Sequence, residues 1–125
     1  LATHGVLQYT NWMQGGLYWL GSNFVVREHP LFADLPVNRA LNWEYQVLAR
    51  NEASRTGLLI DGEDAVVALV TGHQHAVATA VGVVPCGRGR IVLSTLDLTR
   101  VLNDPPGPAD VARKLLCNYV AFARR

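Results

Sequence analysis

Two histidines at residues 73 and 75 of this 125-residue chain have the spacing of metal ligands. Residues i and i+2 of an extended chain point to the same side, so the imidazoles of His73 and His75 could bind one metal ion. A zinc site needs a third ligand, and no neighbouring residue supplies it. The pair therefore leaves two interpretations open, a metal site or a polar loop between two strands.

Aromatic residues suggest a different chemistry, the binding of sugars. The flat face of an aromatic side chain fits the apolar face of a pyranose ring, although most aromatic side chains are buried for packing alone. Trp12 and Trp19 lie in a segment rich in aromatic residues and glycine, and Trp43 precedes Glu44, whose carboxylate could bind a hydroxyl group. These four residues predict either a carbohydrate-binding surface or ordinary core packing.

The sequence contains no recognisable catalytic set. Cys86 lies in a Pro-Cys-Gly-Arg-Gly stretch that leads into another apolar run, whereas a nucleophilic cysteine needs a base and usually a strand–turn–helix elbow. Glycoside hydrolysis needs two carboxylates, and nothing pairs Glu44 with Glu28. Gly87-Arg88-Gly89 lacks the following helix of a dinucleotide loop. We therefore expect no catalytic residue and no cofactor in this chain.

Composition bounds the class of protein. Half of the residues are apolar, 17% are charged and the net charge is +1, which is typical of one globular domain. So small a net charge predicts no nucleic-acid partner, and no apolar run approaches the roughly 20 residues of a membrane helix. The chain begins at Leu1 within what looks like an element. We expect it to be the C-terminal part of a longer protein, with the compartment (cytoplasm, periplasm or outside the cell) left open.

Residues 66–96 carry the clearest structural pattern, three strands of an antiparallel meander. Residues 66–71 are apolar and β-branched, residues 76–84 alternate in size, and residues 90–95 follow a turn at 85–89 in which both glycines are expected at positive φ. Large side chains line one face of the second strand (Val77, Thr79, Val81, Val83). Small side chains line most of the other face (Ala76, Ala78, Ala80, Gly82, Val84). The small face predicts close packing of a helix.

The remaining elements follow from shorter patterns. Residues 109–125 have the apolar spacing of an amphipathic helix, which we expect on the small-residue face. Residues 22–27, 41–48 and 58–60 are predicted strands, and residues 97–103 are a connection with one helical turn. The predicted organisation is an aromatic segment at 1–21 without strands, a β-rich region at 22–104 and a C-terminal helix at 108–125.

Four segments of the sequence carry a resemblance to a known group. The sequence EHPLFADLP at 28–36 resembles a segment of class I glutamine-amidotransferase-like domains, among them the accessory domains of bacterial glycoside hydrolases, related to family 2 and to β-galactosidase trimerisation domains, and the trehalose-utilisation-like proteins. NWEYQ at 42–46 is similar to a tryptophan–tyrosine strand of that group. VVPCGRGRIVLSTL at 83–96 and KLLCNYVAFA at 114–123 are similar to its last hairpin and closing helix.

The resemblance implies a flavodoxin-like α/β fold of which this chain holds the α+β, mostly antiparallel C-terminal part. It also implies a module that has lost the amidotransferase triad, attached to glycosidases whose acid and nucleophile belong to a separate barrel domain. The leading hypothesis is therefore a non-catalytic accessory domain. It would pack against other domains or subunits of a bacterial glycoside hydrolase, or against copies of itself. The alternatives are a small carbohydrate-binding or hydrolytic domain using Trp12, Trp19, Trp43 and Glu44, and a metal-binding domain at His73 and His75.

Overall fold

A computed structural model describes residues 7–10, 22–38, 43–49, 57–60, 65–71 and 76–125 of the chain. The described strands are β1 (Leu7–Thr10), β2 (Ser22–Val26), β3 (Gly57–Ile60), β4 (Ala65–Thr71), β5 (Ala76–Cys86) and β6 (Gly89–Ser94). The described helices are α1 (Trp43–Gln46), α2 (Leu98–Val101) and α3 (Pro108–Ala123), with two 3₁₀ turns at Pro30–Phe32 and Val47–Ala49. The α+β class and the antiparallel meander predicted from the sequence are confirmed.

The six strands form one sheet in the order β1-β3-β5-β4-β2, and β6 pairs with β5 beyond the end of β3. Every described pair is antiparallel. β5 is the longest strand and contacts three others, so it is the centre of the sheet. The predicted strands at 22–27, 58–60, 66–71, 76–84 and 90–95 are confirmed. The expectation of no strand in residues 1–21 is wrong at Leu7–Thr10, which pairs with β3.

The hairpin between β5 and β6 is tighter than predicted. Cys86 pairs with Gly89, so the loop consists of Gly87 and Arg88 alone, and only Gly87 has a positive φ, +59°. A glycine at the first of two loop residues is the pattern of a II′ hairpin turn. Pro85 is tolerated inside β5 because, in this register, its nitrogen faces the edge where β4 has already ended at the Ala65–Gly82 pair.

The predicted strand at 41–48 is wrong, because the chain there forms α1 followed by a 3₁₀ turn. Alternation of apolar and polar residues in so short a run also fits helical spacing. In the structure Tyr45 and Leu48, three residues apart, are both fully buried. Residues three apart lie on the same side of a helical turn but on opposite faces of a strand, so burial of both requires the helical conformation. The similarity of 42–46 to a tryptophan–tyrosine strand therefore does not extend to its conformation.

The predicted C-terminal helix is confirmed as α3, a 16-residue helix. Pro108 occupies the first helical turn, and the backbone N–H of Gly107 donates to Oδ2 of Asp110 at 3.1 Å, which satisfies one end group of the helix. Ala112, Leu115 and Phe122 of α3 are buried in the main core. Among the described strands, α3 contacts β6 most closely.

Beside the β5–β6 hairpin, the helix lies on the side of Val81 and Val83, which belong to the large-residue face, whereas the sequence predicted the small-residue face. Directly paired residues share a face, and Ser94 pairs with Val81 while Arg90 pairs with Pro85. The hydroxyl of Tyr119 lies 3.5 Å from that of Ser94, and the guanidinium of Arg90 lies over the ring of Phe122. The larger apolar area of Val81, Val83 and Val92 explains this choice, since burial stabilises in proportion to area.

Residues 28–36 are held between α1 and α3. The side-chain amide of Asn118 on α3 donates to the carbonyls of Leu31 at 3.2 Å and Ala33 at 3.0 Å. On the other side, the hydroxyl of Tyr45 donates to the carbonyl of Pro36 at 2.7 Å, and its ring packs edge-on against Phe32. Leu31 and Phe32 are thereby buried in a segment whose two prolines prevent a regular helix.

We predict that Asn118→Ala destabilises the protein by about 1–3 kcal/mol, because it leaves a partly buried carbonyl without its donor. Unfolding in urea measures the change. Asn103→Ala, which removes an exposed asparagine between α2 and α3, is the matched control and should leave the free energy of unfolding unchanged within error. Equal effects of the two substitutions would contradict this role of Asn118.

A second prediction concerns alkaline pH. Burial raises the pKa of Tyr119 to about 12, although its hydrogen bond with Ser94 acts in the opposite direction. The unfolded chain therefore loses this proton first, and the stabilisation is complete below about pH 10 and is lost as pH rises toward 12. Between pH 10 and pH 12 the free energy of unfolding of the unsubstituted protein, measured in urea, should fall by on the order of 1 kcal/mol more than that of Tyr119→Phe. Parallel pH profiles for the two proteins would disprove the assignment.

Candidate functional site

Of the residues predicted to bind ligands, the structure describes Trp43 and Glu44. Trp12, Trp19, His73 and His75 lie outside the described residues. Trp43 begins α1, and Glu44 follows it on the same helical turn, half-buried. The backbone at Trp43 and Glu44 is helical, so the predicted strand that would have placed these two residues on opposite faces is wrong.

Cysteine and metal chemistry is limited in the part of the chain that the structure covers. Cys86 ends β5 and Cys117 lies on α3, and both are free and exposed. No group of three or more metal-ligating side chains occurs among the described residues. None of the helices in these same ranges is long and apolar enough to span a bilayer.

The structure instead exposes an apolar surface on α3. Leu116 and Val120 are 39% and 45% exposed, and Cys117 and Ala121 beside them are exposed as well. Because residues four apart are neighbours on a helix, these four form one continuous strip two turns long, which we call the outer face of α3. The helix has no charged residue between Lys114 and Arg124, so the strip is uncharged along its length.

A second surface lies where the end of α3 meets the β5–β6 hairpin. The guanidinium carbon of Arg90 lies 4.9 Å from the centre of the Phe122 ring. The imidazole of His29 lies 5.1 Å from the same ring, at an angle of 57°. Phe122 is buried, His29 is half-buried and Arg90 is exposed. The ring of Phe122 therefore brings a guanidinium and an imidazole to one place.

The protonation of His29 follows from this environment. Its Nδ1 accepts a hydrogen bond from the backbone N–H of Leu31 at 3.2 Å, which leaves Nε2 to carry the proton of the neutral ring. Burial lowers the pKa of His29 below its usual value near 6.5, and the positive charges of Arg27 and Arg90 act in the same direction. The neutral form is therefore favoured at neutral pH.

Sequence reasoning missed this second surface. His29, Arg90 and Phe122 are separated by 61 and 32 residues along the chain, and each was assigned to a different element. The hydrophobic pattern of α3 predicted that Phe122 is buried, but no local signal indicates which side chains from other elements would contact it. Long-range contacts of this kind are determined by how the sheet and the helix pack.

Comparison with known proteins gives no relative for this chain. No protein-family model matches it, no curated protein sequence matches it, and no solved structure matches it. Arguments about function therefore depend on the residues and their geometry.

We predict that Arg90→Gln raises the pKa of His29, because it removes one of the two positive charges that disfavour the imidazolium. NMR titration of the His29 ring measures the shift. The control is Arg100→Gln, which removes the same charge from an arginine that pairs with Asp97 at 2.6 Å. An unchanged pKa of His29 in Arg90→Gln would show that the guanidinium does not act on this ring.

Proposed function

We propose that this chain is a non-catalytic accessory domain of a bacterial carbohydrate-active enzyme, of the glutamine-amidotransferase-like, flavodoxin-related type. In this role it packs against another domain or subunit of a parent glycoside hydrolase. The observation that carries the proposal is the outer face of α3, an exposed apolar strip on the element that closes the domain. Contiguous exposed apolar side chains of this kind are typical of protein–protein contacts.

The roles of the segments that resemble this group support the proposal. Residues 28–36 pack between α1 and α3, and residues 83–96 contain the β5–β6 hairpin. Residues 114–123 form most of α3 and include both buried and exposed side chains. Each segment builds the domain, and no described residue in them combines a nucleophile, a base and an orienting partner. The chemistry of the parent enzyme would then reside in a different domain.

The size of the interaction can be estimated from the outer face. Covering the exposed parts of Leu116 and Val120 would contribute on the order of 1 kcal/mol each. Two such contributions change an association constant by about ten- to thirtyfold. The strip is therefore strong enough to hold a tethered domain in place, where the effective concentration of the partner is high.

The test is the mass of the chain in solution, measured by light scattering over a range of concentrations. At the highest concentrations we expect a mass above the 13.7 kDa of the single chain, because copies cover the apolar strip when the natural partner is absent, and we expect the monomer mass on dilution because the contact is weak. Val120→Glu should lower the mass to that of a monomer without lowering the melting temperature, since the side chain is on the surface. The matched control Asn103→Glu adds the same charge at an exposed site away from the strip and should not.

Two results would contradict the proposal. One is a monomer at every concentration whose tryptophan fluorescence shifts on addition of sugars, which favours the carbohydrate-binding hypothesis at Trp12, Trp19, Trp43 and Glu44. The other is association that survives Val120→Glu unchanged, which means that the outer face of α3 is not the contact. Metal analysis of protein purified without a histidine tag tests His73 and His75 independently.

A further inference from the structure

The charged residues of the described chain are unevenly distributed. Three basic side chains have acidic partners: Arg100 with Asp97, Arg113 with Asp110, and Lys114 with Asp34 at 2.7 Å. Within the described residues, Arg88, Arg90, Arg124 and Arg125 form no ion pair. These four arginines are therefore available to an external anion, while the paired ones are already neutralised in part.

The four arginines without ion pairs belong to two elements that meet. Arg88 is in the loop of the β5–β6 hairpin, and Arg90 follows it on β6. Arg124 and Arg125 follow Ala123, the last residue of α3, and the backbone N–H of Arg125 donates to the carbonyl of Phe122. The contact of Arg90 with Phe122 joins the hairpin to the helix end. We call His29 and Arg90, together with the arginines that flank them in the hairpin and at the end of α3, the basic end.

At its centre the basic end has hydrogen-bond donors that suit a carboxylate. A guanidinium lying over an aromatic ring keeps its N–H groups at its edge, and two of them match the two oxygens of a carboxylate. The imidazole of His29 packs against the same phenyl ring, and its Nε2 proton provides a further donor. Arg90 and His29 therefore offer complementary donors around Phe122.

We propose that the basic end binds an acidic segment of a protein partner, with one carboxylate held by the guanidinium of Arg90 and the imidazole of His29. This inference rests on the proposed accessory function and names the chemistry of the partner. Glu28 lies next to His29 in sequence, but within the described chain the charges that act on the pKa of His29 are those of Arg27 and Arg90, not of a carboxylate.

A protein partner fits the surroundings better than a nucleic acid. Arg124 lies four residues after Val120, so a basic residue without an ion pair in the described chain is next to the apolar strip of Leu116 and Val120. A partner that covers both must combine carboxylates with apolar side chains. The net charge of +1 gives no broad positive field of the kind that attracts a phosphate backbone.

Carboxylate binding should be coupled to the protonation of His29. The groups that face this imidazole are Arg27 at the end of β2, Arg90 on β6 and the uncharged ring of Phe122 on α3. The two arginines disfavour the imidazolium, and a bound carboxylate opposes them. Binding should therefore strengthen as pH falls through the His29 titration, and the pKa of His29 should rise in the complex.

The experiment uses a fluorescently labelled hexaglutamate peptide as the probe, with the 125-residue chain at low salt. Anisotropy gives the affinity, and NMR of the His29 ring gives its pKa with and without peptide. We expect Arg90→Gln to weaken binding about tenfold, as for loss of a charge-assisted hydrogen-bond pair, and Arg100→Gln about twofold or less. His29→Asn, which keeps an acceptor for the N–H of Leu31, should abolish the pH dependence and weaken binding less.

Three outcomes would overturn the proposal. Equal weakening by Arg90→Gln and Arg100→Gln means that only net charge is sensed. Tighter binding of a single-stranded oligonucleotide of matched charge means a nucleic-acid surface. No change in the His29 pKa with saturating peptide means that the carboxylate binds elsewhere. Because the probe has no apolar side chains, Val120→Glu should leave its binding within about twofold, so failure of the accessory function and failure of this site can be told apart.

Discussion

The fold of this protein depends on the side chain of Asn118. Its amide is on α3, 85 residues or more from the two carbonyls that it binds, and it holds an irregular segment by donating to the carbonyls of Leu31 and Ala33. Once residues 30–33 are held, Leu31 and Phe32 can enter the core and Tyr45 can close it from α1. The sheet, the 3₁₀ turn and the two helices are thus joined around one polar anchor within an apolar core.

The helix α3 has three surfaces of different composition. Its buried side, with Leu115 and Phe122, packs on the large-residue face of the sheet. Its outer face has apolar side chains and no charge, a composition that favours contact with another protein. Its end, next to the hairpin, has arginines without acidic partners. An element that closes its own domain and also exposes an apolar surface and arginines that form no ion pair in the described chain fits the attachment role proposed above.

Sequence and structure agree where a pattern is local and long. The meander at 66–96 and the helix at 109–125 were predicted because period-two and period-3.6 patterns persist over many residues. The prediction of a strand at 41–48 was wrong because a run of eight residues fits both the period of a strand and the period of a helix. Only the burial of Tyr45 together with Leu48 selects the helix. The prediction of which side of β5 is covered by α3 was wrong for a different reason. Small side chains permit close approach, but the area of Val81 and Val83 contributes more free energy.

The sequence by itself determined that this is an α+β domain with an antiparallel meander, a closing helix and no assembled catalytic set in its local patterns. Side-chain alternation and helical spacing are properties of neighbouring residues, so they can be read without the fold. The tertiary structure alone decided which face α3 covers, that Asn118 anchors residues 30–33, and that Phe122 brings His29 and Arg90 together. These contacts join residues tens of positions apart, and their free energy exists only after the sheet and the helix have packed.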